Sequence, residues 1–150
     1  MGEVNVYIAS PLIFSPATMG WYETVMIPAI EKYINVVNKP GEFSEMKKCV
    51  SPDEKSKAIF DHNVNKLNKC DLVICVLDGA QTDDGTAWEV GYAWAHGKPA
   101  IGVRFDSREG CHERFSKFTN LMIENCCIDI LTNLADLEKF LQDYVDSLEK

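Results

Sequence analysis

Asp71-Leu72-Val73-Ile74-Cys75-Val76-Leu77 is an unbroken apolar run behind one leading acid. A strand with one wet face alternates apolar and polar residues; a run without alternation is covered on both sides, as in the centre of a parallel sheet. Helix signals flank it. Upstream, Ser51-Pro52-Asp53-Glu54 combines an N-cap, a proline at the first helical position and a capping-box glutamate. The spacing predicts a helix to about Lys69 with Ile59, Phe60, Val64 and Leu67 on one face. Downstream, a helix over 86–96 ends at Gly97, with Pro99 just beyond. The same alternation extends to both termini. Strands are expected at 4–9, at 34–38 (closed by Lys39-Pro40-Gly41), at 99–104 and at 126–131. Helices are expected at 17–33, through Trp21, Val25, Ile30 and Ile34, and at 134–148. Pro28 should kink or split the first of these. The order implies an α/β fold, a flavodoxin-like doubly wound five-stranded parallel sheet with helices on both faces. Ligands in such sheets sit beyond the carboxyl ends of the strands, here Ile8–Phe14, Leu77–Glu89 and Arg104–Arg108.

Composition narrows the function. The 150 residues carry 15 Lys+Arg against 23 Asp+Glu, a net charge of −8, and 46% of them are apolar. One domain spanning 1–150 is expected from that length. Nucleic-acid polymers are disfavoured as partners, since phosphate binding rests on a surplus of Lys and Arg. No apolar run approaches the ~20 residues of a membrane span. The opening MGEVNVYIAS lacks the basic and apolar regions of a secretory signal. The six cysteines (Cys49, Cys70, Cys75, Cys111, Cys126, Cys127) contain no C-x-x-C pair and are expected to be reduced thiols in a cytoplasmic protein. His62, His96 and His112 have no ligand spacing, and neither a P-loop nor a dinucleotide fingerprint occurs, so neither metal nor cofactor is expected.

The most informative segment is 78–97, DGAQTDDGTAWEVGYAWAHG. Asp78 ends the apolar strand, Asp83 and Asp84 lie in the loop, and Gly85 and Thr86 lead into the helix. Glu89 is expected in the first turn, where the helix dipole would keep it anionic at pH 7 and suited to act as a nucleophile. Asp83 on the loop would face the same cleft, the paired carboxylates that chemistry at an anomeric carbon uses. Glutamates also stabilise first turns, and aspartates also cap helices, so spacing alone leaves both readings open. Ala87, Gly91 and Ala95 form a small-residue stripe expected to seat the helix on the sheet.

Asp83-Asp84-Gly85-Thr86-Ala87-Trp88-Glu89 resembles the active-site segment of the nucleoside 2-deoxyribosyltransferase family. Tyr7-Ile8-Ala9-Ser10-Pro11 with Phe14 resembles its first strand and base-binding loop, and Asn120-Leu121-Met122 its N-L-M motif. The resemblance implies transfer of 2-deoxyribose between nucleobases by double displacement. Glu89 would be the nucleophile, Tyr7 the hydroxyl that holds it, and Asp83 the group that moves the base's proton. Phe14 would pack on the base, Gly85 would lie at the site, and Met122 would sit against the sugar. Asn120 would come from a neighbouring subunit, which implies a homo-oligomer. Deoxynucleosides and bases would be its partners. Where some members carry an aspartate, this chain has Asn63, which can hydrogen-bond but cannot act as a base. Asp78 is left open between touching the base and capping a turn.

Two alternatives stand beside transfer. A 2′-deoxynucleoside 5′-phosphate N-glycosidase would need a basic side chain for the phosphate, and the first loop, SPLIFSPA, has none. A non-catalytic nucleoside-binding domain would have no reason to keep Tyr7, Asp83, Glu89 and Asn120 together. Arg104, Arg108 and Arg114 are expected on a solvated surface rather than in a patch at the cleft. His96 is expected to meet the helix dipole at the C-terminus of its helix. Trp21, Trp88 and Trp94 are expected in the core or an interface.

Overall fold

The structure is a computed structural model that describes residues 4–39, 51–108 and 116–149. Cys49, Cys111, His112, Arg114 and the Pro40-Gly41 stop lie outside the described residues. The strands are β1 (Asn5–Ala9), β2 (Asn35–Val36), β3 (Leu72–Val76), β4 (Ala100–Val103) and β5 (Asp129–Leu131). They form one parallel sheet in the order β2-β1-β3-β4-β5. That is the flavodoxin-like order, whose direction reverses between β1 and β3.

Every residue of β3 is buried, and alternation divides its side chains between two cores. Leu72, Ile74 and Val76 join Val6 and Ile8 of β1 and Ile101 and Val103 of β4 on one face. That face is covered by Tyr22 and Met26, which lie between α1 (Pro16–Trp21) and α2 (Ile27–Glu31), by Ile27 and Ile30 of α2, and by Leu137 and Leu141 of α6 (Leu134–Leu148). Val73 and Cys75 join Tyr7 and Ala9 on the other, under Leu67 of α3 (Pro52–Lys69) and Val90 and Ala93 of α4 (Asp84–Ala95). The expected capping box opens α3: the Glu54 amide donates to Ser51 Oγ, and the Ser51 amide donates back to Glu54. Among the described residues no helix is long and apolar enough to cross a membrane.

Several details depart from expectation. The helix expected over 17–33 is split, but ahead of Pro28 rather than at it. A π-helical turn over Tyr22–Met26 joins α1 to α2, with the Ile27 amide reaching back to the Tyr22 carbonyl. Proline has no N–H for the carbonyl four residues earlier, and a widened turn upstream accommodates that loss. The extra residue also rotates the buried face: Tyr22 and Met26 are buried, whereas Trp21 and Val25 are exposed. On α3, Phe60 is 51% exposed rather than part of the buried face. The small-residue stripe of α4 looks away from the sheet. Thr86, Val90 and Ala93 are its buried residues, and a Cβ on Gly91 would meet nothing within 4 Å. The last strand starts at Asp129, because Leu121–Glu124 forms a short helix, α5, and Cys126 and Cys127 turn back beneath it.

None of the three tryptophans is core; all are more than a third exposed. Trp21 packs edge-on against Phe105, and Trp88 stacks on Tyr92. Arg104 is buried, contrary to the solvated reading, because its guanidinium donates to the carbonyls of Leu77, Gly79 and Arg108. It thereby ties the end of β3 to the segment after β4. Arg108 is exposed and pairs with Asp106. His96 is the C-cap of α4, with its Nδ1 2.8 Å from the Tyr92 carbonyl. Cys70, Cys75, Cys126 and Cys127 are free thiols.

Candidate active site

A cavity of about 390 Å3 opens at the carboxyl ends of β1 and β3, where the sheet order reverses. Its volume falls within the range typical of small-molecule sites. Of the three strand ends expected to meet ligand, those of β1 and β3 line it and that of β4 does not. The fold explains the difference. The switch point lies between β1 and β3, and β4 is one strand further out.

Alternation along β1 places Tyr7 on the α4 side, 2% exposed. Its hydroxyl donates to Glu89 Oε1 at 2.5 Å. Asp83 is the N-cap of α4: its Oδ2 accepts from the Thr86 amide at 3.0 Å and lies 3.3 Å from Thr86 Oγ1. The capping role and the place in the cavity are thus held by one side chain. Gly85 leaves that carboxylate undisturbed, because a Cβ there would lie 3.2 Å from Asp83 Oδ2 and press on it.

Glu89 lies in the second turn of α4, not the first, since Asp83 caps the helix six residues earlier. It therefore gains little from the dipole, which acts within the first turn. Burial raises its pKa from near 4.5 to about 7; the Tyr7 hydrogen bond opposes that rise and the Asp83 charge adds to it. Glu89 thus ionises around neutrality instead of being fully anionic at pH 7. Burial and the neighbouring Glu89 push the Tyr7 phenol well above its ordinary range, so it remains a donor.

Phe14, 78% exposed, stands at the cavity mouth, and Asn63 lines it from α3. Asp78 lies outside: its Oδ1 accepts from the amides of Phe105 and Asp106 at 2.7 and 2.9 Å. That is the turn-capping alternative. Asn120 and Met122 also lie outside the cavity of their own chain. Asn120 caps α5 by accepting from the Met122 amide, and Met122 is 69% exposed. Glu124 accepts from the amides of Lys117 and Phe118 and so holds the segment ahead of that cap.

Several lining residues went unpredicted. Tyr22 reaches the cavity only because the π-helical turn shifts its face inward. Asn38 pairs both side-chain groups with the Ile8 backbone, extending the β2 side of the sheet beyond its two strand residues. Lys39, Lys55, His62 and Ile59 complete that wall. Only the α3 residues had a legible signal, in that 55, 59, 62 and 63 share one helical face.

The order of the sheet defines a flavodoxin-like α/β protein, and two tyrosines and two carboxylates line the cavity at its reversal point. The chain belongs to the nucleoside 2-deoxyribosyltransferase family, whose model it matches over residues 6–122. It shares its fold with a conserved protein from Enterococcus faecalis V583, at a TM-score of 0.73 and 20% identity, over 95% of this chain and 99% of that one. A 2-deoxyribosyltransferase from Bacillus psychrosaccharolyticus is equally similar in fold, at 0.73 and 18% identity, over 90% of each chain. The CMP N-glycosidase BcmB of Clostridium botulinum aligns at 0.53 and 21% identity, over 93% of this chain and 98% of that one. No curated protein matches the sequence.

Proposed function

We propose that the protein transfers 2-deoxyribose between nucleobases through a covalent deoxyribosyl-Glu89 intermediate. The observation that carries this reading is the Tyr7–Glu89 hydrogen bond inside a cavity that Asp83 also lines. In the first displacement, a Glu89 carboxylate oxygen bonds to the anomeric carbon as the bond from that carbon to the base nitrogen breaks. The single proton that the two carboxyls share, held by Asp83 when Glu89 attacks as the carboxylate, passes to the departing base. Deoxyribose is then an ester of Glu89. In the second displacement, the incoming base attacks the same carbon, returns a proton to Asp83 and releases Glu89 as a carboxylate. Two inversions leave the anomeric configuration retained. Tyr7 steadies the nucleophile, and its bond to the charged form offsets part of the cost of burial. Water in place of the acceptor would turn the same first half into N-glycosidic hydrolysis.

We further propose that the working enzyme is a homo-oligomer in which Asn120 and Met122 complete a neighbour's cavity. Their exposure on α5, outside the cavity of their own chain, supports that reading.

Product analysis tests the activity. The protein is incubated with deoxyinosine or thymidine, with and without adenine. A new deoxynucleoside formed only with adenine is expected. Free base released equally with and without an acceptor would make the enzyme a hydrolase, and no product from any donor would overturn the reading.

A further inference from the structure

The acidic residues of the cavity face a wall of opposite character. Lys55, Ile59, His62 and Asn63 all line it from α3, and their spacing puts them on one helical face. The last residue of α3 leads through Cys70 and Asp71 to the start of β3, whereas the cavity opens at the other end of that strand. The first turns of α3 therefore stand at the mouth. Lys55 precedes Asn63 by eight residues, about 12 Å along a helix axis. Lys39, three residues past β2, lines the cavity as well. Lys39 already pairs with Glu31. Among the described residues no carboxylate pairs with Lys55.

A ligand neutral at both ends would leave that ammonium unused at the rim of a site whose deep end is acidic. The first loop lacks a basic side chain, but β2 and α3 supply what it lacks. We infer that Lys55 is a specificity-determining residue: with His62 and Lys39 beside it, it selects substrates that carry an anionic group away from the scissile bond. This rests on the proposed glycosidic reaction at Glu89 and narrows its substrate class. The anion has two possible carriers, a phosphate ester on the sugar or an acidic substituent on the base.

Binding to the full-length Glu89→Gln protein separates the possibilities without turnover. The ligands are 2′-deoxyuridine, its 5′-monophosphate and 5-carboxy-2′-deoxyuridine, titrated calorimetrically at low and high salt. At low salt one anionic ligand should bind about two- to fivefold more tightly than deoxyuridine, the worth of one partly exposed charge pair. Which one it is identifies the carrier. The advantage should shrink at high salt, collapse toward unity with Lys55→Gln added, and persist with Lys55→Arg. Equal binding of all three ligands, binding of none, or a preference that survives Lys55→Gln would overturn the inference. Parallel turnover assays on the wild-type protein keep the two claims apart. Turnover without an anion preference defeats only the selectivity. A Lys55-dependent preference without turnover of any ligand defeats only the proposed reaction.

Discussion

Tyr7 and Glu89 stand 82 residues apart in sequence and share one short hydrogen bond. If Glu89 shares with Asp83 the one proton that the reaction moves, kcat/KM should fall as pH rises along a limb centred near 7, the value to which burial pushes the Glu89 carboxyl. Tyr7→Phe removes the contact that favours the charged form. It should lower kcat/KM about 10- to 100-fold, as loss of a hydrogen bond to a charged group does, and move the limb to higher pH. An unmoved limb would contradict the role given to Tyr7. Stability should follow the same group. Because the folded pKa exceeds the unfolded one, the native state holds this proton more tightly, so the group's contribution is complete below about 4.5 and is lost as pH rises through 7. Glu89→Gln should therefore melt at a higher temperature than wild type at pH 8, with a flatter pH dependence between 4.5 and 7. The Asp83–Glu89 segment was legible because its residue types and order are distinctive. Its electrostatics were not: the expectation of an anion at pH 7 rested on a first-turn position, and the cap at Asp83 puts Glu89 a turn deeper.

The elements show where a one-dimensional pattern loses phase. The limits of α3 and α6 could be read from capping residues and apolar spacing because nothing interrupts those helices. The helical segment after β1 could not, because the π-helical turn ahead of Pro28 inserts a residue and brings Tyr22 inward in place of Trp21. Arg104 is a similar case. Arginine suggests surface, yet three carbonyls at the ends of β3 and β4 satisfy its guanidinium in the interior. Arg104→Met would leave those carbonyls without donors and should cost about 2–4 kcal/mol in denaturant unfolding. A cost below ~1 kcal/mol would mean that water replaces the guanidinium. In β4, a Cβ on Gly102 would meet Ile130 and Leu77 side-chain atoms at 2.8 Å. Gly102→Ala should destabilise by about 1–3 kcal/mol through overpacking, as side chains rather than backbone must shift.

At the scale of the molecule, the unbroken apolar run of β3 correctly implied a doubly wound parallel sheet, since only a strand covered on both faces has that composition. The position of the cavity follows from the strand order, because β1 and β3 flank the reversal. What sequence could not supply was the cationic contribution of β2 and α3, which reach the cavity only through tertiary placement. The exposed Asn120 and Met122 carry the prediction that belongs here. Glu89→Ala and Asn120→Ala proteins, each inactive alone, should regain activity when their subunits are exchanged. No regained activity despite verified exchange would count against a shared site.

The central claim is the ester on Glu89. Wild-type protein is mixed with a 2′-deoxynucleoside, quenched in acid within one turnover and digested, and its peptides are weighed. The account predicts a deoxyribosyl adduct on the peptide containing Glu89, discharged when free base is added before the quench. Turnover with the adduct on another residue, or with no adduct at any time point, would contradict it.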